Sequence, residues 1–409
     1  MVKVFRAMLL TRASFILLLS CSCHAFTLLH APTQVRGISS KRLAQGARPP
    51  LAAPRCSKLS MSVSLDSSQF DKGDANPIDS IETLDKLVPR TKITELVKQT
   101  SDNEGLLQVA WHAACYAVCA GVTAAGDALG MASVKWVGIV SMAFVCSFIF
   151  MALHETVHRS AFRSRLLNDI FMHIAGFLCL RPALHYFYYH WAHHKFTGNV
   201  DKDSELQPSA LDMDVSTWPG YVLYISGLPF WFDASSTTLM HALGRKQNHE
   251  HYLSNPKALE QVANEARVYL LLYLLLLTAG MTIPAFGQAL VTFWVLPSLL
   301  GQPFLRFYLF AEHRGCHQNP NVLENTRTMS TNWFYRKMAW QMPYHFEHHA
   351  WPYVPFHKLK DANKMIQDAG GLKESACAPS GNKGYLFLNF QFLASLLPRG
   401  GERGPSGAA

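Results

Sequence analysis

Four long apolar runs interrupt an otherwise mixed chain, at about 106–128, 134–153, 266–286 and 288–311. Each approaches the ~20 residues that an α-helix needs to cross a bilayer, so the pattern predicts four spans. The first is the least apolar, because Gly, Ala and Asp127 dilute it. Two further apolar stretches, 166–183 and 217–233, are broken by Arg181, Pro182, Pro229 and Asp233. They predict interfacial or half-inserted helices rather than spans. Amphipathic patterns predict helices over about 81–98 and 357–370. The apolar, aromatic stretch 385–397 is too short to span; it is expected to cover the membrane-side cap, the alternative being a place on the membrane beside the substrate entrance. The expected fold class is all-α: a multi-pass membrane helical bundle of about four transmembrane helices plus interfacial helices, with a membrane-side cap.

Polar positions carry the chemistry. Eight histidines fall in three clusters: His154-Glu-Thr-Val-His158, His190-Trp-Ala-His193-His194 and His345-Phe-Glu-His348-His349. The spacings are HxxxH, HxxHH and HxxHH, and residues i, i+3 and i+4 share a helix face. So many convergent imidazoles exceed the roughly four ligands of one tetrahedral zinc and suffice for two ions. Imidazole suits iron, copper, zinc and nickel. The clusters also constrain the topology. If 166–183 stays on one side and 266–311 crosses twice, all three clusters meet on one membrane face.

The three boxes resemble those of the membrane fatty-acid desaturase superfamily, in that order and with two apolar spans between the second and third. The resemblance covers roughly Gly105 to Lys360 and extends to "HETVHRSAFRSRLLND", "AEHRGC" and "NTRTMSTNWFYRKMAWQMPYHFEHHAWPYVPFHKL", which look like acyl-lipid desaturase-like proteins. It implies two iron ions, O2 as co-substrate and the box histidines as ligands. It also implies a ninth ligand, His313, because members place a histidine directly after the last span. Acyl-CoA relatives set an Asn four residues before that histidine; here the position is Leu309, which leaves Glu312 to compensate. Glu155, Glu312, Glu347, Asp201 and Asp203 are candidates to hold the outward ring nitrogens. His185 reads as a supporting or structural histidine, and His173, His241, His249, His251 and His317 receive no role.

Composition agrees with a membrane protein. Of 409 residues, 49% are hydrophobic and only 16% charged, against about 25% charged in soluble domains. The net charge of +9 concentrates in residues 1–65, which hold Lys and Arg but no acid. It therefore does not point to nucleic acid. Residues 1–25 pattern as a signal peptide and 26–65 as a plastid transit peptide. A polar segment follows at 66–104, then the membrane domain at 105–397 and a Gly-rich tail at 398–409. Basic loops flank the boxes, which predicts a stromal active face in an envelope or thylakoid membrane; the endoplasmic reticulum is the other compartment considered. No paired cysteine framework is evident, and Cys316 is assigned no role.

The resemblance narrows the expected activity to an O2-dependent desaturase acting on an acyl chain of a plastid lipid. The partners it implies are the lipid acyl substrate, surrounding membrane lipids and a separate electron donor such as ferredoxin, since the sequence has no fused haem-binding His-Pro-Gly-Gly motif. A carotenoid hydroxylase or ketolase of the same superfamily is the alternative. A metal-binding membrane transporter is the alternative of another class, and it would require ionisable residues lining the spans.

Overall fold

The computed structural model describes residues 83–207, 211, 214–370 and 384–396. The chain divides into two units between Asp66 and Ser67, and every described residue belongs to the second. The expected leader, 1–25 and 26–65, and the tail, 398–409, lie outside the described residues.

Helix is the only regular secondary structure among the described residues, and four of the helices are long and apolar enough to cross a membrane. In chain order the first elements are α1 (Arg90–Val97), α2 (Asp102–Ala128), α3 (Ala132–Val157), α4 (Arg165–Leu178) and α5 (Ala183–Phe196). Next come α6 (Trp218–Ser226), α7 (Leu228–Ala242), α8 (Pro256–Thr282) and α9 (Pro284–His313). The last are α10 (Val322–Asn325), α11 (Trp333–Met338), α12 (His345–Ala350), α13 (Leu359–Asp368) and α14 (Tyr385–Ser395). The spans are α2, α3, α8 and α9, matching the four apolar runs. Exposed Leu107, Val118, Val137, Leu274, Leu277 and Met281 leave them the apolar outer surface that lipid requires.

Small residues let the spans approach closely. A Cβ on Gly138 of α3 would lie 2.6 Å from the Thr123 backbone nitrogen of α2. A Cβ on Gly301 of α9 would lie 2.8 Å from the Ala143 carbonyl of α3. α9 also contains a π-turn at Val291–Val295 and an internal Pro303, both known ways of re-aiming a helix.

The stretch 166–183 is not one straight helix. α4 and α5 meet at 101°, where Leu180 takes a left-handed conformation (φ 57) and Pro182 caps α5. The broken helix ends need partners inside an apolar layer. Tyr273 Oη donates to the Phe177 carbonyl (2.9 Å) and Trp294 Nε1 to the Leu178 carbonyl (3.0 Å). At the start of α5, the Leu184 amide donates to Glu265 Oε2 of α8 (2.8 Å), a carboxylate placed where the helix dipole favours it. The stretch 217–233 is likewise two helices, α6 and α7, hinged at Gly227 (φ 73).

One expectation about the helices is corrected. The single helix over 81–98 is a helical turn at 83–87 followed by α1, because Pro89 lacks an amide hydrogen and disfavours helix before it. Its Leu84, Val88, Ile93 and Leu96 join the main apolar cluster. α14 packs beside the end of α9 that carries His313, with the Arg314 guanidinium 5.5 Å from the Phe392 ring and Tyr385 5.2 Å from Tyr335. It lies along α9 and α6: Tyr221 Oη donates to Asn389 Oδ1 (2.9 Å) and Tyr385 stacks on Tyr308, while Leu386 and Phe390 remain exposed.

Candidate metal centre

The ends of α3, α5, α9 and α12 bring all nine expected ligands together. They form two sets. His154, His158, His190, His194 and His348 have ligand nitrogens within 4.8 Å of one another. The second set contains His193, His313 and His349. His345 joins it, with its Nε2 3.0 Å from His313 Nε2 and 3.1 Å from His349 Nε2.

The partition crosses the boxes for a helical reason. At about 100° per residue, an i,i+4 pair is about 40° apart and i,i+3 about 60° the other way. In the second box the i,i+4 pair His190 and His194 enters the first set, and His193 turns to the second. In the third box the i,i+4 pair His345 and His349 enters the second set, and His348 turns to the first. His154 and His158 complete one set and His313 the other.

The donor set fits metal ions. Within the first set, His194 Nε2 lies 3.1 Å from both His190 Nε2 and His348 Nε2. Nitrogens that close can reach a single ion at the roughly 2.1 Å of an imidazole–metal bond. Both ring nitrogens of His158 are buried without a hydrogen-bond partner, an unusual state that a ligand would relieve.

The outward nitrogens are held from behind. His193 Nδ1 donates to Asp203 Oδ1 (2.8 Å) and His313 Nδ1 to the Asn325 carbonyl (2.9 Å). A carbonyl only accepts, so the His313 Nε2 lone pair points inward. His345 Nδ1 lies 3.3 Å from Glu312 Oε1. Glu155 Oε1 sits 3.5 Å from His154 Nδ1 and 3.7 Å from His348 Nδ1, and Thr197 Oγ1 is 3.3 Å from His349 Nδ1. Glu155, Glu312 and Asp203 thus stand where ring-orienting carboxylates are needed. Asp201 is exposed, and Glu347 instead accepts from Thr328 and Asn363. Asn325 and Thr197 carry no sequence signal, because they reach the rings only through folding.

Electrostatics keep most of the ring nitrogens free. Burial, reinforced by neighbouring imidazoles, holds His158, His190, His194, His345, His348 and His349 well below the usual histidine range. Neutral imidazole is the ligand form. His193 differs: burial opposes its charge, but the Asp203 and Glu205 carboxylates raise it to about 9.

A third buried group was not legible in the sequence. His185 Nε2 lies 2.9 Å from Glu250 Oε1 and His241 Nε2 lies 3.1 Å from both carboxylate oxygens. These three side chains can also hold a metal by spacing. Glu250 Oε2 additionally accepts from the Gln247 amide (2.6 Å), so the carboxylate is satisfied by donors alone. His241 comes from α7 and Glu250 from a loop, with no spacing to mark them. Cys316, which received no role from the sequence, is disulfide-bonded.

A helical membrane bundle ending in two clustered histidine sets defines a class of membrane proteins able to hold metal ions at that end. The family model for fatty acid desaturase matches residues 132–377, more than half of the chain, and the protein belongs to that family. It is similar to a sphingolipid delta(4)-desaturase from Candida albicans, 23% identical over 234 residues (54% of this chain and 58% of that protein). It is also similar to a dihydrorhizobitoxine desaturase from Bradyrhizobium elkanii, 25% identical over 246 residues (55% of this chain and 66% of that protein). The chain spans less than two thirds of the length of either relative.

Proposed function

We propose that this protein is an O2-dependent oxidoreductase that introduces a double bond into an acyl chain of a membrane lipid, with two iron ions held by the nine histidines. The observation that carries the reading is the convergence of those histidines into sets of five and four at one end of the bundle. His154, His158, His190, His194 and His348 hold one ion; His193, His313, His345 and His349 hold the other. Bound there, the iron pair supplies the activation of dioxygen that removing hydrogen from an unactivated methylene requires.

The protein's own groups position and protect. Asp203 and the Asn325 carbonyl fix the ring tautomers of His193 and His313. Glu155 and Glu312 offer negative charge behind the rings. The tight burial of His154, His158, His190, His193 and His348 excludes bulk water from the reacting end.

The acid-free, Arg- and Ser-rich residues 26–65 support a plastid membrane, and the basic loops flanking the boxes support a stromal site. In that compartment ferredoxin is the natural separate donor. Residues 66–409 would be expressed in a ferredoxin-competent photosynthetic host, beside His348→Ala and His349→Ala controls, with fatty acids and carotenoids both profiled. A new unsaturated acyl species absent from the controls is expected. An oxygenated carotenoid with unchanged acyl chains would replace this reading with a carotenoid hydroxylase or ketolase.

A further inference from the structure

A half-open cavity of about 510 Å³ lies beside the second histidine set, walled in part by Arg181, Tyr189, Glu205, Phe230 and Arg306. Glu205 ties it to the centre, with Oε2 3.8 Å from His193 Nε2. A second path runs through rings: the Arg181 guanidinium sits 4.5 Å from the Tyr186 centroid, and Tyr186 stacks on His190 at 5.1 Å.

Arg181 and Arg306 share this wall and one aromatic ring. Their guanidinium carbons lie 6.0 Å and 4.6 Å from the Phe230 centroid. Arg306 Nε donates to Gln302 Oε1 (3.2 Å), and its Nη2 is buried without a partner. Among the described residues no carboxylate forms an ion pair with either arginine. The three acids that line the wall have other partners: Glu250 is engaged by His185, His241 and the Gln247 amide, Glu205 reaches toward His193, and Asp233 has an interaction of its own.

Two like charges in a partly buried wall are costly unless an anion meets them. Aromatic faces offset only part of that cost, and an arginine within a spanning helix needs a reason of its own. Arg306 precedes His313 by seven residues on α9, which is two helical turns, about 10 Å, on the same face. The guanidinium fork matches a carboxylate or phosphate with paired hydrogen bonds.

We propose that Arg181 and Arg306 bind an anionic oxygen group of the substrate, a carboxylate or a phosphate, and so set which part of it reaches the histidine sets. This names a substrate class for the reaction proposed above and rests on that reading.

The test uses the full chain, iron-loaded, in dodecyl-maltoside micelles. Three probes are titrated against tryptophan fluorescence: oleate, which brings a carboxylate; dioleoyl phosphatidylglycerol, which brings a phosphate; and dioleoylglycerol, which brings neither. One anionic probe is expected to bind at least tenfold more tightly than dioleoylglycerol, and the winner identifies the group. Arg306→Gln and Arg181→Gln should each weaken it about tenfold, Arg306→Lys less, with iron content unchanged as evidence of folding. Equal binding of the uncharged probe, or unchanged anion binding in Arg306→Gln, would overturn the proposal. Anion binding by protein that yields no unsaturated product would support this site while removing the desaturation reading.

Discussion

His194 and His349 stack with ring centroids 4.2 Å apart and planes 19° from parallel. One belongs to the five-histidine set and the other to the four-histidine set, so this pair is the seam between them. His194→Ala and His349→Ala should each drop iron from about two ions per chain to about one, and abolish product formation. Metal analysis of purified protein checks it. Loss of both ions in both variants would mean that the sets bind as one unit.

The His193–Asp203 pair gives a pH signature in metal-free protein. With His193 raised to about 9 from its ordinary 6.5, its protonated form is favoured by folding. That stability is fully present below pH 6.5 and is lost as pH rises through about 9. Thermal melts of chelator-treated protein should therefore fall between pH 6.5 and 9. Asp203→Asn should flatten that fall. A wild-type melting profile that stays level across this window would refute the assignment.

Glu155 Oε1 lies near two rings of the first set at once, while Oε2 accepts from Ser160 Oγ (3.1 Å). Glu155→Gln keeps the shape and removes the charge. Removing such an orienting partner costs about 10–100-fold in metal affinity or activity. Competition with a chelator measures it. Wild-type affinity in Glu155→Gln would reduce Glu155 to a packing role.

The His185–His241–Glu250 group predicts a structural outcome. Glu250→Ala leaves two buried ring N–H groups unpaired and should destabilise the protein by about 1–3 kcal/mol for each, with iron remaining at about two per chain. A third equivalent of metal in wild-type protein, lost in Glu250→Ala, would make this group a metal site instead.

Much of the architecture is written locally. Apolar runs of span length mark α2, α3, α8 and α9 because a bilayer selects on length and hydropathy alone. The breaks at Arg181-Pro182 and near Pro229 mark helix ends because proline and charge act on their own neighbourhood. The π-turn in α9 and the left-handed Leu180 had no such mark, since each is settled by what packs against it. The same holds for Glu250 and Asn325, whose partners lie far away in the chain.

The sequence by itself determined the four spans, the nine histidines and their spacings, because helical periodicity and hydropathy are properties of neighbouring residues. The tertiary structure alone decided how the nine divide. Box membership does not predict it: His193 and His348 leave their own boxes' pairs for the opposite set. The physical reason is angular. Helix geometry fans each HxxHH box over about 100°, and only the docking of α5 against α12, with the α3 and α9 termini alongside, determines which imidazoles from separate helices share a centre.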